Sequence, residues 1–132
     1  MTETCVLCGI NKELILLTSD HSVVLANCFP IGDFSLLVVP KRHVYSITDL
    51  TAEELSDMAQ TIALATNNIK ANLNPEGANI FLNEGEIAGQ TIPHLHFHIV
   101  PRTNGDGLEN FKRNGEKIRL SADKLESVRS MF

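Results

Sequence analysis

Apolar and polar residues along the chain follow two rhythms, and each change of rhythm marks a new element. Residues 13–18 and 22–26 are short runs of leucine, isoleucine and valine on either side of Ser19-Asp20, and they predict two strands joined by a turn. The loop at 27–33 leads into a continuous apolar run at 35–39, closed by Pro40 and read as a third strand. From Thr51 to Leu73 the period changes to three and four: Leu55, Met58, Ala59, Ile62, Ala65, Ile69 and Leu73 fall on one helical face. Thr51 and Glu54 have the spacing of a capping box, with Leu50 and Leu55 placed to staple it. Asn74-Pro75-Glu76-Gly77 ends the helix, and 78–82 predicts a fourth strand. A fifth strand is expected over 94–100, opened by Pro93 and closed by Pro101. An irregular loop at 102–117 and a short helix capped by Ser121 complete the chain. Strands that come as near neighbours with one long helix between them indicate an α+β domain, spanning 1–132, on a mainly antiparallel sheet.

Composition narrows the partners. A net charge of -5 provides no general attraction for nucleic-acid backbones or anionic membranes, so any phosphate must be held by a few directed donors. No apolar run approaches the ~18 residues of a membrane span. The N-terminus lacks the basic-then-apolar order of a secretory signal, and three cysteines make no disulfide framework. A cytoplasmic protein is the expectation.

The chemistry concentrates in two places. In His94-Leu95-His96-Phe97-His98-Ile99-Val100, strict alternation on a strand puts three of the chain's five histidines on one face. A row of ordinary surface histidines is the plain alternative. A metal held by the three rings is another, and a phosphate site with one histidine as nucleophile is the third. The preceding loop favours the last, because Asn83, Gly85, Gly89, Gln90 and Thr91 offer amide, hydroxyl and backbone donors suited to phosphate oxygens. At the N-terminus, Cys5 and Cys8 have the spacing of half a tetrahedral zinc site, although a buried reduced pair has the same spacing.

The histidine run resembles the signature of the histidine triad (HIT) superfamily of nucleotide hydrolases and transferases. The likeness extends through Val38-Val39-Pro40-Lys41-Arg42-His43, Asn83-Glu84-Gly85, Gly89-Gln90-Thr91 and Pro101-Arg102, covering roughly residues 5–107. It implies a five-stranded HIT-like fold with one long helix and short terminal helices, and a homodimer in which two sheets join. It further implies His96 as the nucleophile on an α-phosphate, forming a nucleotidyl-histidine that water resolves. By the same carry-over the carbonyl of His94 fixes the His96 tautomer, and His98, Gln90 and Thr91 attend the phosphate. Asn27 and Asn83 fall where ribose or phosphate contacts are expected, beside Gly89. The substrate implied is a purine nucleoside phosphoramidate or a dinucleoside polyphosphate. A bacterial-type subgroup that the chain resembles holds structural zinc with two such cysteines and the equivalents of His43 and His94; no organic cofactor is implied. Many relatives carry a histidine where this chain has Ser35, so a nucleotide-binding module with little catalysis is kept as an alternative. Cys28 is expected to be small and buried near the pocket, and His21 solvated.

Overall fold

The computed structural model describes residues 5–108 and 118–132. Five strands form one antiparallel sheet in the order β1-β2-β3-β5-β4. They are β1 (Ile15–Thr18), β2 (Ser22–Ala26), β3 (Leu36–Pro40), β4 (Gly77–Leu82) and β5 (Phe97–Arg102). Two α-helices accompany them, α1 (Ala52–Leu73) and α2 (Ala122–Arg129). This is the α+β arrangement expected from the sequence. No helix among the described residues is long and apolar enough to cross a membrane.

β2 and β3 are buried on both faces, which is why their sequences are continuously apolar instead of alternating. Val24, Ala26, Leu36 and Val38 meet Met58, Ala65 and Ile69 of α1 and Val128 of α2. Val23, Leu25, Leu37 and Val39 turn the other way, under Cys5 and Leu7 of the N-terminal segment. The helices thus cover one face of the sheet, and the cysteine-bearing segment covers part of the other.

The capping box of α1 forms as expected: Thr51 Oγ1 accepts from the N–H of Glu54, and the Glu54 carboxylate accepts from the N–H of Thr51. Its buried stripe is Glu54, Met58, Thr61, Ala65, Thr66 and Ile69, rotated from the apolar stripe expected. Leu55 is 39% exposed and Ala59 faces outward, while Ile62 and Leu73 of the expected stripe pack against the core. The rotation follows from Glu54 and Thr61, which hydrogen bonding allows to be buried where apolar counting would not put them. Ser121 caps α2 as expected, although that helix stops at Arg129.

The last strand differs more. It runs from Phe97 to Arg102, so His94 to His96 precede it and Pro101 lies inside it. Pairing with β3 ends at Leu36–Ile99, leaving Pro101 beside Ala78 of β4 alone, where a residue without an N–H is tolerated. At the other end, the N–H of His94 donates to the carbonyl of Ile92 at 2.8 Å, a tight turn that bends the chain before the ladder begins. Of the loop expected at 102–117, residues 109–117 lie outside the described residues.

Candidate active site and metal centre

The turn at His94 separates three histidines that simple alternation would have made equivalent. His94 is fully buried, and its Nε2–H donates to the carbonyl of Pro40 at 3.0 Å. A carbonyl only accepts, so the proton is on Nε2 and the lone pair is on Nδ1. That Nδ1 lies 3.5 Å from Cys5 Sγ, 3.5 Å from Cys8 Sγ and 3.1 Å from His43 Nδ1; Cys8 Sγ is 3.1 Å from His43 Nδ1. All four ligand atoms lie within 4.8 Å of one another. A tight turn, in which the N–H groups of Cys8 and Gly9 both reach the Cys5 carbonyl, folds the cysteine pair back on itself.

The donor set suits a tetrahedral ion. Zinc bonds of ~2.3 Å to sulfur and ~2.0 Å to nitrogen imply S···N edges of ~3.5 Å and N···N edges of ~3.3 Å, close to the four separations of 3.1–3.5 Å, within a cluster that spans up to 4.8 Å. Burial pushes the His94 pKa down, and its bond to Pro40 opposes this only in part, so the ring stays neutral as a ligand must. Burial and then the neighbouring Cys5 raise the Cys8 thiol, an effect opposite to that of a shared cation, which favours the thiolate. Among the described residues, this is the group of four that converges on a metal-sized space.

His96 is used differently. Its Nδ1–H donates to the carbonyl of His94 at 2.8 Å, which leaves the lone pair on Nε2. The residue is 5% exposed, yet it is not sealed in hydrocarbon: its ring meets the edge of His98 at 5.0 Å between centroids. His98 in turn stacks on Phe81 of β4 at 4.6 Å, the two being direct neighbours in the ladder. A three-histidine metal site therefore does not form, because Nδ1 of His94 faces the cysteines while Nδ1 of His96 faces a carbonyl.

The glycine-containing loop before the histidines is shaped by two backbone positions that favour glycine, Gly85 at φ 90° and Gly89 at φ 102°. Asn83 lies over Gly89: a Cβ there would sit 3.3 Å from Asn83 Nδ2. Thr91 is exposed, as a ligand contact requires. Gln90, expected among the phosphate donors, is instead 6% exposed with its amide committed to the loop. Its Oε1 accepts from Gly85 N–H at 2.8 Å, and its Nε2 donates to the carbonyls of Ile92 at 3.1 Å and Tyr45 at 3.4 Å. Gln90 builds the loop and presents no free donor.

Across the sheet, Asn27 Oδ1 accepts from Phe29 N–H at 3.1 Å, a side-chain turn that shapes the loop after β2. Ser35 is buried, and its hydroxyl accepts from Ile31 N–H at 2.8 Å and from Asn27 Nδ2 at 3.5 Å. It braces that loop. Cys28 is half-buried, and His21 is partly exposed with Nε2 3.4 Å from Glu53. Two contributors had been given no role of their own from the sequence. Phe81 looked like an ordinary strand residue, and Glu84 ties two loops by accepting from Ser46 Oγ and Ile47 N–H, each at 2.9 Å.

Known proteins resemble this chain in sequence and in fold. The chain is 36% identical to a HIT-like protein of Mycoplasma genitalium, over 76% of this chain and 74% of that protein. It is 34% identical to a bis(5'-adenosyl)-triphosphatase of Dictyostelium discoideum, over 76% of this chain and 68% of that protein. A Zn-bound histidine triad family protein from Mycobacterium smegmatis superposes with a TM-score of 0.77 at 28% identity, over 97% of this chain and 92% of that one. The family model for the HIT domain matches residues 9–105, and with these likenesses it follows that the chain belongs to the HIT domain family.

Proposed function

We propose that the chain is a nucleotidyl hydrolase acting at the α-phosphate of a purine nucleoside phosphoramidate or a dinucleoside polyphosphate, with His96 as nucleophile. The observation that carries this reading is the 2.8 Å bond from His96 Nδ1 to the carbonyl of His94. It fixes the tautomer and makes Nε2 the basic, unprotonated atom. Nε2 attacks the α-phosphorus in line as the bond to the leaving group breaks, giving a nucleotidyl-histidine; water then attacks phosphorus, releasing the nucleoside monophosphate and restoring the ring. His98, held by stacking on Phe81, sits beside the attacking ring and bonds phosphate oxygens. Thr91 supplies a further donor, and Gln90, together with the N–H groups of Ala88, Gly89 and Gln90 that are spent within the loop, holds that loop in shape. Asn27 meets the ribose and Asn83 lies near the phosphate. Positioning and local donors are enough for such a transfer in a chain of net charge -5.

Cys5, Cys8, His43 and His94 would hold structural zinc, a closed site tying the N-terminal segment to the residue whose carbonyl orients His96. A second protomer adds its sheet at β4, the longer of the two edge strands, where Ile80 is 47% exposed. The cytoplasm is the compartment that suits a reduced cysteine pair.

The test is His96→Ala, assayed on adenosine phosphoramidate and diadenosine triphosphate. Turnover should vanish while AMP binding by calorimetry persists. A variant that still turns over would remove His96 from the chemistry, and a wild type that binds AMP but processes neither substrate would favour a binding module.

A further inference from the structure

We propose that Glu54, at the start of α1, is a positioning residue for the Cys5, Cys8, His43 and His94 site, acting through a two-point grip on Arg42. The inference rests on the zinc reading above. Segment 40–43 serves that site twice: the Pro40 carbonyl accepts from His94 Nε2, and His43 brings its own Nδ1. β3 ends at Pro40, and the Lys41 N–H still donates to the carbonyl of His21 at 2.8 Å, so Arg42 and His43 lie past the last backbone tie on that side. Arg42 stands in that stretch, next to the ligand.

Its guanidinium is held at both oxygens of one carboxylate. Arg42 Nε donates to Glu54 Oε2 at 3.1 Å, and Nη2 donates to Oε1 at 2.8 Å and to the carbonyl of Asp49 at 2.8 Å. A fork gripped at two points fixes orientation as well as distance, which a single contact does not. The carboxylate is itself anchored. Glu54 is 7% exposed, and its Oε1 also accepts from Thr51 N–H at 2.9 Å, in the cap of a 22-residue helix.

On the far side of His43, Leu95 N–H donates to the Val44 carbonyl at 2.7 Å. The ligand is thus braced from both neighbours, by α1 on one side and by the histidine segment on the other. An ion binding to a braced site does not have to order the loop, so releasing one brace weakens binding. Glu53 is the natural control. It lies one residue away on the same helix, exposed, and faces His21 instead.

The experiment uses full-length wild type, Glu54→Gln, Arg42→Gln and Glu53→Gln, each loaded with Co2+ and titrated with a competing chelator. Glutamine at 54 still suits a capping box, so the helix start is kept. Metal affinity should fall ~10-fold or more in Glu54→Gln and Arg42→Gln, with an altered cobalt absorption band, and stay unchanged in Glu53→Gln. Combining the first two changes should cost no more than either alone. If both variants melt earlier yet hold cobalt with wild-type affinity and spectrum, the pair is only a helix brace and the proposal is overturned. A wild type that takes up no cobalt overturns the zinc reading, and this inference with it.

Discussion

Replacing Gly85 and Gly89 by alanine, one at a time, asks whether the loop before the histidines is held in shape for its chemistry. Gly85 adopts φ 90° and ψ 150°, and Gly89 φ 102° and ψ 10°. At Gly85 an added Cβ meets nothing within 4 Å, so the cost is backbone strain alone, about 1–3 kcal/mol in a region almost reserved for glycine. At Gly89 the left-handed conformation costs about 1–2 kcal/mol, and Asn83 Nδ2 at 3.3 Å must give way as well. Restricting the unfolded chain returns about 0.4–1 kcal/mol at each position. The net penalty of about 1–2 kcal/mol lowers the equilibrium constant between the native and opened loop by a factor of about 5–30. The loop is pinned by Gln90 and Glu84 but lies outside the main core, so local opening relieves the strain first. We therefore expect kcat/KM on an adenylated substrate to fall by up to about 30-fold in each variant, while the unfolding free energy from urea denaturation falls by no more than about 1–2 kcal/mol. Unchanged kcat/KM in both variants would refute the view that this backbone positions phosphate donors.

Leu95 is fully buried against Val44 and Leu50, and Leu95→Ala should cost about 2–5 kcal/mol by urea denaturation; a loss below about 1 kcal/mol would mean that the histidine segment is not anchored there. Removing bound metal with a chelator should lower the melting temperature of wild type but not of Cys8→Ser, and equal melting with and without chelator in wild type would count against a structural ion. The Arg42 guanidinium, and then the Thr51 N–H, lower the Glu54 pKa from 4.5 to about 2. Its stabilisation is therefore complete above the ordinary value and lost as pH falls through the lowered one. The stability gap between wild type and Glu54→Gln should narrow from pH 4.5 towards 2, and a gap independent of pH would deny the carboxylate this role.

What the sequence revealed follows from how local each signal is. The apolar runs at 22–26 and 35–39 placed β2 and β3 because burial on both faces selects mainly apolar residues. The capping box was readable because its partners lie three residues apart. The rotation of α1 was not, since Glu54 is buried by an arginine twelve positions away that no periodicity reports. The same holds for the histidines. Alternation suggested one row, but the turn at Ile92–His94 depends on the segment reaching back to Val44 and Pro40, contacts about fifty residues distant. Gln90 looked like a ligand because its chemistry suits phosphate, and only its surroundings reveal that the loop backbone already uses it. The cysteine pair was half a site in sequence and became a cluster of four in space.

The most direct test lies in the covalent step. Mixing enzyme with adenosine phosphoramidate, quenching within milliseconds under conditions that preserve P–N bonds, and digesting for mass spectrometry should yield the peptide bearing His96 with one adenylate attached. Adenylate on another residue, or complete turnover with no labelled peptide at any quench time, would contradict the attack of His96 Nε2 on phosphorus.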